Sequence, residues 1–129
     1  MTASKLKSEL IMSSNIPSVN VSEPWFTLIK LGIKHVEGRL LRGDFTRLRV
    51  GDIVTFENNE LPFYRQFNVE IVDVNIYDSF KLYLQSESLD RCLPGVDNVE
   101  DGISVYYKYY TKEDEEIYRV VAITVEVVK

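Results

Sequence analysis

Between Lys30 and Arg49 the chain gathers side chains that bind anions and move protons. Six are cationic (Lys30, Lys34, Arg39, Arg42, Arg47, Arg49), against only Glu37 and Asp44. The stretch carries a net +4 in a protein whose total is −5, so the remainder holds −9. Inside it runs Gly32-x-Lys34-x-x-Glu37-x-Arg39. A glutamate between a lysine and an arginine stays ionised and holds both cations in place. Arg39 can then offer its planar fork to a phosphate or a base edge. Lys34 is a compact charge whose pKa moves when it is desolvated, a property that catalysis uses. The same residues also fit a surface strand with exposed ion pairs, each worth little. Composition alone leaves both readings open.

The elements around the motif must bring these groups together. In an extended Lys34–Leu40, the side chains of Lys34, Val36, Gly38 and Leu40 point one way, and those of His35, Glu37, Arg39 and Leu41 the other. Glu37 and Arg39 then share a face, and a bulge is needed to re-aim Lys34 towards them. Gly32 allows a sharp turn into the strand. Ahead of it the sequence predicts a helix with Ser22 as N-cap and Pro24 in the first turn. Trp25, Leu28 and Ile29 form its buried stripe, and Gly32 its stop.

Elsewhere the periodicity alternates between two and 3.6 residues. Ser18 to Val21 reads as a short strand and Gly43 to Leu48 as a turn. Gly51 to Phe56 and Phe67 to Tyr77 read as strands about a polar turn, with Phe67, Val69, Ile71 and Asp73 on one face of the second. Ser79 to Cys92 and Val99 to Tyr110 carry helical spacing, with Lys112 to Glu116 extending the latter or forming an acidic turn. Arg119 to Val128 is a β-branched, central strand. Lys5 to Met12 is an amphipathic helix candidate within a tail covering residues 1–16.

The motif spacing after a short helix resembles the signature of ASCH domains, in the PUA-like superfamily. The likeness continues through Val50-Gly51-Asp52-Ile53-Val54-Thr55-Phe56, through Glu70-Ile71-Val72-Asp73-Val74, and through the Tyr-rich and β-branched half from Pro94 to Val125. It spans roughly Pro17 to Val127. The resemblance implies an α+β domain over residues 17–129: a small β-barrel of five or six mixed, mainly antiparallel strands with flanking helices. It also implies a cleft beside the motif and a link to RNA or modified nucleosides. The amidohydrolase branch of that family, which deacetylates N4-acetylcytidine, is similar at Lys34 but has a threonine nucleophile where Glu37 stands. Thr27, Thr46 and Thr111 lie off the motif, and Glu87 matches the branch's further glutamate only loosely. An ionised carboxylate is a poor substitute for an activated hydroxyl, which argues against that chemistry. If the protein is an enzyme, Lys34 and Glu37 are its candidate catalytic residues.

Bulk properties narrow the field. One domain suits 129 residues, with a hydrophobic content of 45% typical of globular proteins. A single Cys92 and a single His35 supply no disulfide pair and no zinc set, so the sequence calls for no metal and no cofactor. No long apolar run suggests a membrane span, and Met1 to Ser14 lacks a signal-peptide core. An intracellular location follows, cytoplasmic or, in a eukaryote, nuclear. The acidic pI of about 4.9 disfavours tracking along duplexes, which takes many phosphate contacts. A site for a short single strand of RNA, a nucleotide or a nucleoside is compatible.

Trp25, Tyr64 and Arg65 join Lys30, Lys34, Glu37, Arg39 and Arg42 as candidate ligand contacts. A loop aromatic beside an arginine suits base stacking, though Tyr64 suits capping the barrel end equally. Tyr106 and Tyr110 read as core, Asp52 as a turn-former, and Glu113 to Glu116 as a solvated helix end. Three functions remain: an RNA- or nucleotide-binding module, a hydrolase acting on RNA or modified nucleosides, and a protein-interaction domain. Oligomeric state is left open.

Overall fold

The computed structural model describes residues 18–129, so the Lys5–Met12 helix candidate and the whole 1–16 tail lie outside the described residues. Five strands form one curled half-barrel sheet: β1 (Val19–Asn20), β2 (Val36–Leu40), β3 (Ile53–Asn58), β4 (Arg65–Tyr77) and β5 (Val120–Val127). Their order is β1-β3-β4-β5-β2, with β1 parallel to β3 and every other pairing antiparallel. Among the described residues five α-helices accompany them: α1 (Trp25–Lys30), α2 (Phe80–Glu87), α3 (Leu89–Cys92), α4 (Val99–Tyr106) and α5 (Lys112–Tyr118). The α+β, mainly antiparallel architecture is the one expected.

Several boundaries differ from the sequence reading for local reasons. The Ser79–Cys92 segment divides at Ser88, whose φ of +82° breaks the helical path into α2 and α3. Val99–Tyr110 is helical only to Tyr106, and Thr111 caps a separate α5 by accepting from the Asp114 N–H. Glu115 of the acidic run is buried. It takes the Phe80 N–H at 2.7 Å and the Tyr107 hydroxyl at 2.6 Å, so it caps α2 from across the fold. Ser22 is no N-cap. That place falls to Pro24, and the Glu23 carboxylate accepts the Thr27 N–H instead. The fully buried residues of α1 are Phe26 and Ile29, while Trp25 and Leu28 are half-covered. In β4 a bulge between Ile71 and Asp73 shifts the alternation, so Val74 rather than Asp73 rejoins the core face.

Two apolar clusters lie on opposite faces of β5. Val121, Ile123 and Val125 join Phe26, Ile29, Phe56, Val69 and Ile71 inside the curl. Val120 and Ala122 join Val36, Leu40, Phe80, Tyr83, Leu84 and Tyr106 under the helices. The second cluster fixes β2 through one contact. Gly38 faces Tyr83 so closely that an added Cβ would stand 2.5 Å from the ring. Phe80 in turn stacks on Tyr106 at 4.5 Å between centroids, and on Tyr110 at 5.6 Å. The helical layer therefore sets both the backbone of β2 and the tyrosines beside it.

Gly38→Ala is expected to cost about 1–3 kcal/mol, the range for overpacking a filled core. Denaturant unfolding of the two proteins checks this; equal midpoints would show that Tyr83 yields without loss.

Candidate functional site

β2 is an edge of the sheet, and so is β1. The curl brings the two edges to face one another, and a cavity of about 250 Å³ opens between them. Asn20, Val21, Ser22 and Trp25 line one side, and Lys34, Glu37, Gly38 and Arg39 the other. The α4 end supplies Val105, Tyr106, Tyr109 and Tyr110, with Leu93 below.

Lys34 does not lie in the strand. Its backbone N–H bonds the Leu28 carbonyl behind α1, two residues before β2 begins. The pleat therefore does not dictate its direction, and its side chain reaches the face of Glu37 without a bulge. The amine is buried and donates to the Val36 carbonyl at 2.6 Å and to the Cys92 carbonyl. It stands 3.4 Å from Glu37 Oε1 and 5.5 Å from the centre of the Trp25 ring. An ammonium has three donors, and those three oxygens account for them. Burial lowers the Lys34 pKa below its ordinary value, and the nearby Glu37 charge offsets this only in part.

Glu37 is the centre of the site. Arg39 Nε donates to its Oε2 at 2.8 Å, and Lys34 approaches Oε1. Burial pushes the carboxyl up, but Arg39 and then Lys34 outweigh it, leaving the group below the ordinary carboxylate value. It is held ionised. Arg39 also donates from Nη2 to the Asn20 carbonyl at 2.9 Å, joining the two sheet edges, and lies 5.4 Å from the Phe45 ring.

The remaining candidates fall into two groups. Trp25 lines the cavity; Lys30, Arg42, Tyr64 and Arg65 do not. Lys30 ends α1, exposed to solvent. Arg42 sits over the Tyr110 and Tyr118 rings at 5.8 and 5.3 Å and pairs with Asp114 at 3.3 Å, at the rim beside Tyr110. Tyr64 is exposed on the β3–β4 loop, with its hydroxyl on Gln66 at 2.8 Å. Arg65 opens β4, earlier than the alternation suggests, and two acceptors pull it away from the cleft. They are Glu23 at 2.7 Å and Asn58 at 2.6 Å. The Asn58 amide also donates to the Val21 carbonyl, so Arg65 braces the cleft wall from behind. Glu87 is also outside the cleft, on Asn75 and the Tyr77 hydroxyl.

Sequence reasoning missed Asn20, Ser22, Tyr109 and the cleft-lining side of Tyr106 and Tyr110. The tyrosine spacing at 106, 109 and 110 was a visible signal. Tyr106 bonds the Tyr83 hydroxyl at 2.8 Å and packs in the core while also lining the cavity. Burial drives both phenols well above their ordinary pKa, so neither is an acid at neutral pH. Burial also pushes the Cys92 thiol up to about 11, which leaves it unreactive. Among the described residues, no three His, Cys, Asp or Glu side chains gather as a metal set. No helix there is long and apolar enough to cross a membrane.

The sign of the pH effect follows from Glu37. Its folded pKa lies below the unfolded value near 4.5. Its contribution is complete above that value and disappears as pH falls through the lower, folded pKa. Glu37→Gln should therefore lose stability at pH 7, and the gap to wild type should narrow as pH falls below about 4.5. Urea titrations across pH 2.5–7 check this. Lys34→Met, which strands the carboxylate beside a single cation, should cost about 3–5 kcal/mol at neutral pH in the same assay.

Comparison with known proteins identifies the family and the fold. The ASCH domain model matches residues 19–129. The crystal structure of hypothetical protein PH0355 is 36% identical and superposes with a TM-score of 0.76, covering 84% of this chain and 95% of that one. The solution structure of PF0455 from Pyrococcus furiosus is 34% identical with a TM-score of 0.71, covering 88% and 97%. A comparison with curated proteins returns no match. The chain belongs to the ASCH domain family, within the PUA-like superfamily.

Proposed function

We propose that this ASCH domain binds single-stranded RNA, or a free nucleoside or nucleotide, by taking one base into the cleft between β1 and β2. One observation carries the reading: an ionised Glu37, clamped by Lys34 and Arg39, faces a cavity walled by Trp25, Tyr106, Tyr109 and Tyr110. Aromatic walls offer sequence-tolerant stacking, and a fixed charge pattern orients what is stacked. The volume falls below the roughly 300–1,000 Å³ of drug-sized pockets, a scale that suits one base and not a folded helix. ASCH domains are generally RNA-binding, which supports the same reading.

The residues divide the work. Lys34, with its donors engaged, sets the position of Glu37. Arg39 keeps Nη1 and part of Nη2 for a ligand oxygen once Nε and one Nη2 hydrogen are engaged. Arg42 at the rim is placed for a backbone phosphate, because its exposed pair with Asp114 is weak. Hydrolysis draws less support. A general base needs a raised pKa, whereas Glu37 is lowered, and a proton-transferring lysine needs a free donor.

Arg39→Ala should weaken binding of short single-stranded RNA by about 5- to 150-fold, the loss for a charge-assisted contact of about 1–3 kcal/mol. Arg47→Ala, outside the cavity lining, should leave it unchanged. Fluorescence anisotropy at two salt concentrations reads both. With Arg42 and Arg39 as the phosphate contacts, the slope of log K on log salt should be about −1.4 or shallower. Equal binding by wild type and Arg39→Ala would end the cleft reading. Incubation with N4-acetylcytidine or RNA, with and without Mn²⁺, tests the enzymatic alternative; turnover lost in Glu37→Ala or Lys34→Ala would promote it.

A further inference from the structure

The edge of β2 presents a backbone amide to the cleft, and its position follows from ladder parity. Val125 donates to the His35 carbonyl and Leu41 donates to the Arg119 carbonyl, which places those pairs at the hydrogen-bonded positions of the ladder, although the His35 N–H goes to the Arg91 carbonyl and the Arg119 N–H to the Glu115 carbonyl. With Glu37 opposite Ile123 and Arg39 opposite Val121, those residues spend their amides on β5 too. Val36, Gly38 and Leu40 therefore aim N–H and C=O away from β5. The Val36 carbonyl takes Lys34, and the Leu40 carbonyl takes the Arg42 N–H. Gly38 has neither group partnered among the described residues, and Gly38 lines the cavity.

Glu37 adds the second feature. Each carboxylate oxygen receives one cation, and an ionised carboxylate offers about four acceptor positions. Its outward positions accept hydrogen and repel any other acceptor. The cleft thus combines a fixed acceptor in Glu37 with the adjacent donor and acceptor of Gly38.

Resting on the RNA-binding reading, we infer that the cleft selects a base whose edge carries an exocyclic amine, and rejects uracil. Cytosine and adenine place an amine beside a ring-nitrogen acceptor, so the amine donates to Glu37 while the Gly38 N–H donates to the ring nitrogen. Guanine offers ring N–H and amine to the carboxylate and its carbonyl oxygen to the Gly38 N–H. Uracil flanks its one N–H with two carbonyl oxygens, and these turn lone pairs towards Glu37. Sites built to hydrogen-bond one pattern discriminate strongly, because a mismatch leaves buried polar groups unpaired.

The test compares short oligonucleotides of cytidine, adenosine and uridine, together with one of N4,N4-dimethylcytidine, by anisotropy on the intact protein. Dimethylation removes the donors and leaves the ring to stack, so no altered protein has to fold. The expected result is at least about fivefold weaker binding of the uridine and dimethylcytidine strands than of the cytidine strand, as for the loss of a base contact worth about 1–3 kcal/mol. Glu37→Gln, verified as folded by circular dichroism, should narrow that gap by improving uridine, because its amide supplies a donor. Equal binding of all four strands overturns the base selection and leaves the RNA reading standing. Binding of none overturns both.

Discussion

A carboxylate taken out of water between two cations is the constraint on which the rest of this structure depends. Desolvating Glu37, Lys34 and Arg39 is expensive, and their attraction repays the cost only if geometry and remaining hydrogen bonds are right. The fold supplies those conditions from separate places. The α1–β2 turn brings Lys34 off the pleat, the α3 end gives it the Cys92 carbonyl, and β1 gives Arg39 the Asn20 carbonyl. A shift of β1, β2 or the α3 end would unpair one of the charges. The cluster thus ties the helical layer, the motif strand and the first strand together.

The second dependence is steric. Tyr83 occupies the space where any other residue at position 38 would place a Cβ, so the strand lies flat on the helices. The same helices deliver the Phe80, Tyr106 and Tyr110 stack, and Glu115 secures the first turn of α2 by accepting the Phe80 N–H. Cleft walls and core are therefore one packing problem. Gly102 of α4 also packs closely, because a Cβ there would come 2.9 Å from the end of the Leu84 side chain.

Much of this was legible in the sequence because the informative signals are local. Two-residue periodicity in Ile53–Phe56 marks a strand with one face buried, and the β-branched run of Val120–Val127 marks one buried on both. The order Gly32, Lys34, Glu37, Arg39 marks a turn followed by three residues that the structure gathers beside one strand edge. What escaped depends on distant partners. Nothing near Arg65 announces that Glu23 and Asn58 will draw it behind the cleft. Nothing near Glu115 announces an acceptor for Phe80, thirty-five positions away. Tyr106 and Tyr110 pack in the core as their spacing indicates, but helical spacing does not show that the other side of such a ring meets a cavity.

Trp25 is the single tryptophan of the chain, and it stands in the cleft wall 5.5 Å from the Lys34 amine. The intrinsic emission of the protein therefore arises at the mouth of its own cavity. A ring stacking there, a cation leaving it, or water entering around it changes the light emitted without any label. The molecule carries its own optical gauge of occupancy, in a fold whose other aromatic residues absorb but emit weakly beside it.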